Sequence, residues 1–261
     1  MRIGLIGGSG LYDIEGLHFI KDVTLSTPYG NPSSVYKIAT FEDKEIVFLQ
    51  RHGIPHSIPP HKINYRANIW GFKSLNVERI VSINAVGGIN RLYQPGDIVI
   101  IDQIIDMTGG CRESTFYDKD EVFHIDFSNP YCLEMRETFI KASEILSLPV
   151  RNGGTYICVN GPRLETSKEI QFFSAIGADV VGMTAMPEAS LAREQEICMS
   201  ALSVVTNYAA GISKERLTTT EVIETMKRSL EDIKALIKEF LLLVPKVRHC
   251  SCKDALKDAK I

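Results

Sequence analysis

The sequence predicts an α/β fold, a single domain with a central mixed β-sheet flanked by helices. Three observations carry this. Short runs rich in Val and Ile alternate with longer runs of helical spacing. Each short run ends in Gly, Asn, Thr or His, which gathers polar groups at strand ends. A length of 261 residues, with 44% hydrophobic and 23% charged residues, suits one large globular domain, and no repeat or linker interrupts it.

The strand-like runs cover residues 3–6, 45–49, 79–84, 97–101, 155–159, 179–183 and 202–206. Helical spacing covers residues 63–75, 131–146, 167–176 and 187–201. Pro187 suits a first helical position, and Glu188 beside it complements the helix dipole. The last helix has the clearest signal. Thr218 and Glu221 form a capping box, and Val222, Met226, Leu230, Ile233, Ile237 and Leu241 recur at three- and four-residue steps. Pro245 stops the run. The domain is therefore expected to span residues 1–245. Residues 246–261, with four lysines and Cys250-Ser251-Cys252, read as a C-terminal tail detached from the core.

Composition excludes several classes. A net charge of −3 gives no bulk attraction to nucleic acid or anionic lipid. No apolar run approaches the roughly 18–20 residues of a membrane helix. Gly4, Gly7 and Gly8 break the first apolar stretch too early for a signal peptide, so a cytoplasmic location is expected. Of the six cysteines, Cys111, Cys132, Cys158 and Cys198 read as small buried hydrophobes. His249 beside Cys250 and Cys252 makes three ligands, one short of a structural zinc site. A tail disulfide and free thiols both remain open, and no metal is expected.

The first thirteen residues look like a strand running into a glycine-rich turn, a shape that holds phosphate through backbone N–H groups and a helix N-terminus. A dinucleotide fingerprint starts well at Gly8-Ser9-Gly10. Asp13 occupies its third glycine position, and no ribose-gripping acid follows about 20 residues on. Ligands in open α/β sheets sit at strand carboxyl ends. Four such ends carry small polar or cationic groups: Gly7-Gly8-Ser9-Gly10, Arg51-His52-Gly53, Asn84-Ala85-Val86-Gly87-Gly88 and Gly182-Met183-Thr184. Together they supply a guanidinium, an imidazole, hydroxyls and glycine amides, which is what a free tetrahedral oxyanion needs.

With these loops, Pro60-His61-Lys62-Ile63-Asn64-Tyr65-Arg66-Ala67-Asn68, Pro95-Gly96-Asp97-Ile98-Val99-Ile100, Gly161-Pro162-Arg163-Leu164-Glu165-Thr166 and Gly182-Met183-Thr184-Ala185-Met186-Pro187-Glu188 resemble the ordered motifs of the purine nucleoside and methylthioadenosine phosphorylases. The resemblance spans residue 4 to about residue 211. It implies a homotrimer or homohexamer with active sites at subunit boundaries, inorganic phosphate as co-substrate and no cofactor. Ser9, Arg51, His52, Ala85 (through its backbone) and Thr184 would surround phosphate. Met183 would lie against the ribose, with His56 and a neighbouring subunit's His124 toward the phosphate and 5′ regions. Position 84, often Thr or Ser in relatives, is Asn here. The Cys-x-Cys tail resembles that of some relatives from hyperthermophiles, where intracellular disulfides occur.

The base is expected to be recognised by Leu164, Glu165, Asn207 and Ala209, with Asn207, Glu165 and His52 as the catalytic set. Methylthioadenosine phosphorylases typically show Ser and Asp where this chain has Glu165 and Asn207, and both changes match the 6-oxopurine branch. An ionised Glu165 accepts from N1–H of hypoxanthine or guanine. The Asn207 amide can donate to O6 and accept from a protonating N7. The expected reaction is phosphorolysis of inosine, guanosine or 5′-methylthioinosine to a free base and (5-methylthio)ribose 1-phosphate. Phosphate is already an anion, so no triad, carboxylate pair or metal is required. The small apolar stretch Ala209-Ala210-Gly211-Ile212, followed by Leu217-Thr218-Thr219-Thr220, is the expected 5′ pocket. Three rivals stand beside this reading. They are a methylthioadenosine phosphorylase, a nicotinamide-dependent oxidoreductase using the N-terminal loop, and a non-catalytic nucleoside-binding protein.

Overall fold

A computed structural model of the chain describes residues 1–213 and 218–261, with the backbone alone at Ser9. Leu217, part of the expected 5′ pocket, lies outside the described residues. The first strand, β1 (Arg2–Gly7), leads into a single 3₁₀ turn, Ser9–Asp13, and then an antiparallel hairpin, β2 (His18–Val23) and β3 (Tyr36–Phe41). Next come β4 (Lys44–Gln50), α1 (Tyr65–Ser74), β5 (Arg79–Gly88), β6 (Ile98–Ile100) and β7 (Gln103–Met107). The second half holds α2 (Leu133–Ile145), β8 (Arg151–Asn152), β9 (Thr155–Val159), α3 (Ser167–Ala175) and β10 (Val180–Gly182). It ends with α4 (Glu188–Glu194), β11 (Cys198–Tyr208) and α5 (Thr219–Leu243). The glycine loop therefore opens a hairpin, not the helix of a dinucleotide-binding βαβ unit. That removes the geometric basis of the oxidoreductase reading.

The eleven strands among the described residues join one mixed sheet, ordered β2-β3-β4-β1-β5-β10-β9-β7, with β11 on the other side of β5 and β6 and β8 beyond it. β5 and β11 run parallel and are buried almost throughout, as strands covered on both faces are. One hydrophobic cluster, including Leu5, Val81, Leu202, Phe139 and Phe240, lies under α2 and α5. A second, including Ile6, Phe72, Ile80 and Met199, lies under α1 and α4. Among the described residues no helix is long and apolar enough to cross a membrane.

The topology also shapes the cleft. β1 pairs with β5 only as far as Ile6 beside Ser82, and β10 meets β5, antiparallel, only at Gly87 and Gly88. Between these points one edge of β5, Ile83–Val86, faces no strand. β1 turns away at its glycines and β10 has not yet arrived, so a crevice opens, as it does where strand order switches.

Two local expectations change, and one holds. The run 187–201 is not one helix: α4 ends at Glu194, Glu196 adopts φ 56°, and β11 starts at Cys198. Periodicity cannot separate a buried strand from a buried helix when both are continuously apolar. At α5 the Thr218 hydroxyl caps Glu221 N–H as expected. Residues 246–261 fold back on the domain: Cys252 is buried in the core cluster, and Lys260 forms a β-bridge with Phe123. The long charged side chains that made this segment look detached lie at its surface, while its cysteines point inward.

Candidate active site

The crevice is a cleft of ≈ 870 Å³. It brings together Arg51, His52, His56, Ala85, Met183, Thr184, Leu164, Glu165 and Asn207 from loops far apart in sequence. Gly8 and Gly10 line it on either side of Ser9. A side chain at position 8 would meet nothing within 4 Å, so that backbone stands open to the cleft. The side chain of Ser9 lies outside the described residues. Two expected residues do not line the cleft. Ala209 is buried in a separate apolar cluster, and His124 is exposed, its N–H donating to the carbonyl of Ala259.

Arg51 follows β4 and is almost fully buried. Its Nε and Nη2 donate to the two carboxylate oxygens of Glu188 at 2.8 and 2.9 Å. Nη2 also donates to Ser82 Oγ at 2.6 Å and Nη1 to the carbonyl of Ile83 at 3.1 Å. Four of five N–H groups are thus committed, leaving one on Nη1. The arginine is a fixed positive centre with one free donor and not a two-pronged anion fork. Because Arg51 takes the Ile83 carbonyl on the open edge of β5, strand alternation puts the Ala85 N–H on the same edge. The Val86 carbonyl points the other way, toward Thr206 of β11.

Thr184 follows β10 and runs back alongside β5. Its hydroxyl donates to Asn84 Oδ1 at 2.9 Å, and Asn84 Nδ2 donates to Ser82 Oγ at 3.3 Å. Asn84 therefore continues the polar chain Glu188–Ser82–Asn84–Thr184 under the cleft floor. The His52 ring donates from Nδ1 to the carbonyl of Ile58 at 2.8 Å and stacks on His56 at 4.1 Å. Burial pushes its pKa down from 6.5 to about 4, with the Arg51 charge and the His56 ring adding to this and the Ile58 carbonyl opposing it. At neutral pH the ring is uncharged and Nε2 is an acceptor.

This has a measurable consequence. Between pH 6.5 and about 4 the unfolded chain takes up a proton that folded His52 refuses. More protons bound to the unfolded state means stability falls as pH drops through that window. The urea midpoint is expected to decline from pH 6.5 to about 4, and His52→Gln to flatten part of that decline. An identical slope in parent and variant would refute the assignment.

At the far end, Asn207 sits where β11 carries a bulge between Val205 and Asn207. Its Oδ1 accepts from Thr206 Oγ1 at 2.9 Å and its Nδ2 donates to the carbonyl of Tyr208 at 2.9 Å. These bonds fix the amide's orientation and leave one N–H and one lone pair. Glu165 lies in the loop before α3. That loop is held by a capping box between Thr166 and Glu169 and by an Arg163–Glu169 ion pair at 2.7 Å. Burial raises the Glu165 pKa, and nearby Glu169 adds to the effect. Gly161, at φ 68°, has Met183 Sδ 2.5 Å from where a Cβ would stand, so only glycine lets that methionine reach its place.

The sequence did not reveal the wall opposite. Val222, Met226, Lys227 and Leu230 of α5 close the cleft, and Leu230 packs against Gly10. Val222, Met226 and Leu230 are among the residues that made α5 look amphipathic, so their spacing announced a buried face without saying that part of it lines a site. Ala210, Gly211 and Ile212 line a different, smaller depression.

Residues 2–242 match the family described as the phosphorylase superfamily. The chain is 54% identical to a protein of Thermodesulfovibrio yellowstonii named "Probable S-methyl-5'-thioinosine phosphorylase", over 99% of this chain and 97% of that one. It is 50% identical to the "6-oxopurine nucleoside phosphorylase" of Pyrococcus furiosus, over 99% of this chain and 98% of that one. Its structure is similar to that of methylthioadenosine phosphorylase from Schistosoma mansoni in complex with adenine, with a TM-score of 0.94 and 29% identity. That match covers 100% of this chain and 99% of the other.

Proposed function

This chain belongs to the phosphorylase superfamily, and from that membership we propose how its cleft carries out the phosphorolysis of a 6-oxopurine ribonucleoside. The products are a free purine and a ribose 1-phosphate, or its 5-methylthio form. Phosphate lies against Gly8–Gly10, the Ala85 N–H and the remaining Arg51 N–H. Neutral His52 accepts through Nε2 from the P–OH of hydrogen phosphate. Thr184, whose proton goes to Asn84, offers its oxygen as a second acceptor for such a group. The protein thus takes up one dianion carrying one donor, held by N–H groups and two acceptors, while the Glu188 carboxylate already balances the Arg51 charge.

Met183 backs the ribose. Attack at C1′ runs through a cation-like sugar, and the departing base gathers negative charge. Asn207 carries the reading. Its one free N–H meets O6 and its one free lone pair meets a protonating N7, as Glu165 accepts from N1–H. Adenine reverses the donor and acceptor at this edge, and leaving a buried partner unsatisfied costs about 1–3 kcal/mol, or roughly 5- to 150-fold. Val222, Met226 and Leu230 give the remaining wall an apolar character that suits a 5′-methylthio group, which favours 5′-methylthioinosine beside inosine and guanosine. The same reading has the chain work in the cytoplasm as a homotrimer or homohexamer, in which a neighbouring copy's His124 approaches the 5′ end.

The test is a panel of inosine, guanosine, 5′-methylthioinosine and 5′-methylthioadenosine, each with and without phosphate. Base release is expected only with phosphate, and kcat/KM for the favoured 6-oxopurine should exceed that for 5′-methylthioadenosine by roughly 5- to 150-fold. The reverse order would make the chain a methylthioadenosine phosphorylase. No release from any nucleoside would leave a binding protein.

A further inference from the structure

At the opposite end of β11 the chain gathers a second group of reactive side chains that phosphorolysis does not use. Cys132 precedes α2, Cys198 opens β11, and Cys250 and Cys252 come from the C-terminal segment. Their four sulfurs all lie within 4.8 Å of one another, and three of the four residues are buried. Sequence alone placed three ligands here, with His249 as the third. The structure leaves the His249 ring outside the group and brings in two cysteines from elsewhere in the chain.

We propose that Cys132, Cys198, Cys250 and Cys252 form a structural four-thiolate site for a zinc ion. The dimensions fit. Zinc–sulfur bonds of about 2.3 Å in a tetrahedron put sulfurs about 3.8 Å apart. Here the Cys198 and Cys250 sulfurs stand at 3.3 Å, and no pair exceeds 4.8 Å. Two disulfides would instead need two sulfur pairs at about 2.05 Å, and all four cysteines are free. A four-sulfur donor set selects zinc or iron over harder ions, and zinc is the usual structural choice.

The surroundings suit a thiolate site as well. Cys132 sits at the N-terminus of α2, where the dipole favours an anion. Arg248 Nη1 approaches Cys198 Sγ at 3.9 Å, which offsets part of the double negative charge of a zinc tetrathiolate. Binding exchanges up to four S–H protons, released to solvent, for four Zn–S bonds, with no change of oxidation state. The ion would tie the C-terminal segment to the start of the central strand and the cap of α2. The active cleft is about 30 Å away along β11, nine residues from Cys198 to Asn207 at roughly 3.3 Å each.

The test uses the full chain, purified under reductant from zinc-supplemented medium without a metal-affinity step. Elemental analysis and native mass spectrometry should find about one zinc per chain, falling below about a tenth in Cys250→Ser/Cys252→Ser. That variant should unfold at a lower temperature and keep the parent's phosphorolysis rate at ambient temperature. If it fails to fold, cobalt exchange into the parent supplies the readout: thiolate-to-cobalt charge transfer and the intense visible bands of a tetrahedral site. Iron in place of zinc, a metal-free chain with four alkylatable thiols or with disulfides, or zinc retained by the variant would each overturn the proposal.

Discussion

Replacing Glu188 with alanine is expected to destabilise the protein by about 3–5 kcal/mol and to make its stability depend on phosphate. Glu188 and Arg51 are 1% and 3% exposed, and together they form a closed ion pair under the cleft. Removing the carboxylate strands a guanidinium that cannot lose its proton. Ser82, which donates to Glu188 at 2.7 Å, loses an acceptor at the same time. The uncompensated charge then favours any anion that enters the cleft. Phosphate should therefore raise the unfolding temperature of Glu188→Ala more than it raises that of the parent. Catalysis should still suffer, because Arg51 is no longer aimed, and a displacement of about 1 Å is enough to lower kcat/KM roughly 10²-fold. Glu188→Gln keeps the shape and one of the two acceptor oxygens without the charge and should fall between the two. Thermal unfolding with and without phosphate, beside the phosphate dependence of the rate, checks all three. A Glu188→Ala protein as stable as the parent, with an unchanged phosphate response, would mean that this pair neither holds Arg51 nor shapes the anion site.

Glu188 also shows where sequence reasoning reaches its limit. The motif containing it was visible, and its place in the first turn of a helix was read correctly. Its partner lies 137 residues away, and nothing in local pattern predicts an ion pair at that separation. The central strands were legible because short Val- and Ile-rich runs closed by polar turn residues favour the extended backbone. β11 was partly mistaken for helix because an unbroken apolar run carries no period. The hairpin β2–β3 was missed because β2 is mostly exposed and shows no buried alternation. Arg51, His52 and Thr184 could be found from chemistry, since polar groups after apolar runs mark strand ends. Glu165 and Asn207 could not: each alone looks like a surface or turn residue, and only the resemblance to a family gave them roles. The cysteines fail for a related reason. Cys132 and Cys198 are buried among apolar residues, as expected, yet burial alone does not say that they face two more sulfurs.

The substitution that addresses the base most directly is Asn207→Asp, which should lower the ratio of inosine to adenosine kcat/KM by roughly 5- to 150-fold. In the proposed reading, asparagine offers one donor and one acceptor to the purine edge, its geometry set by Thr206 on the oxygen side and by the Tyr208 carbonyl on the nitrogen side. Aspartate keeps the first bond, since a carboxylate accepts from Thr206. It loses the second, because an oxygen now faces the Tyr208 carbonyl, and it has no donor for O6. Hypoxanthine would leave its carbonyl unpaired against a negative oxygen. Adenine would place its amino group there as a donor, a better match. Glu165 works against a complete switch, because an acceptor still faces adenine N1. Its raised pKa eases this at lower pH, where a protonated Glu165 can donate to N1. Adenosine turnover by the variant should therefore improve relative to inosine as pH falls. Asn207→Ala supplies the control: it removes donor and acceptor alike, so both nucleosides should lose about 10²- to 10³-fold in kcat, with less change in their ratio. Rates for both nucleosides in the three proteins across pH decide the matter. A ratio that Asn207→Asp leaves unmoved would mean that position 207 does not read the base.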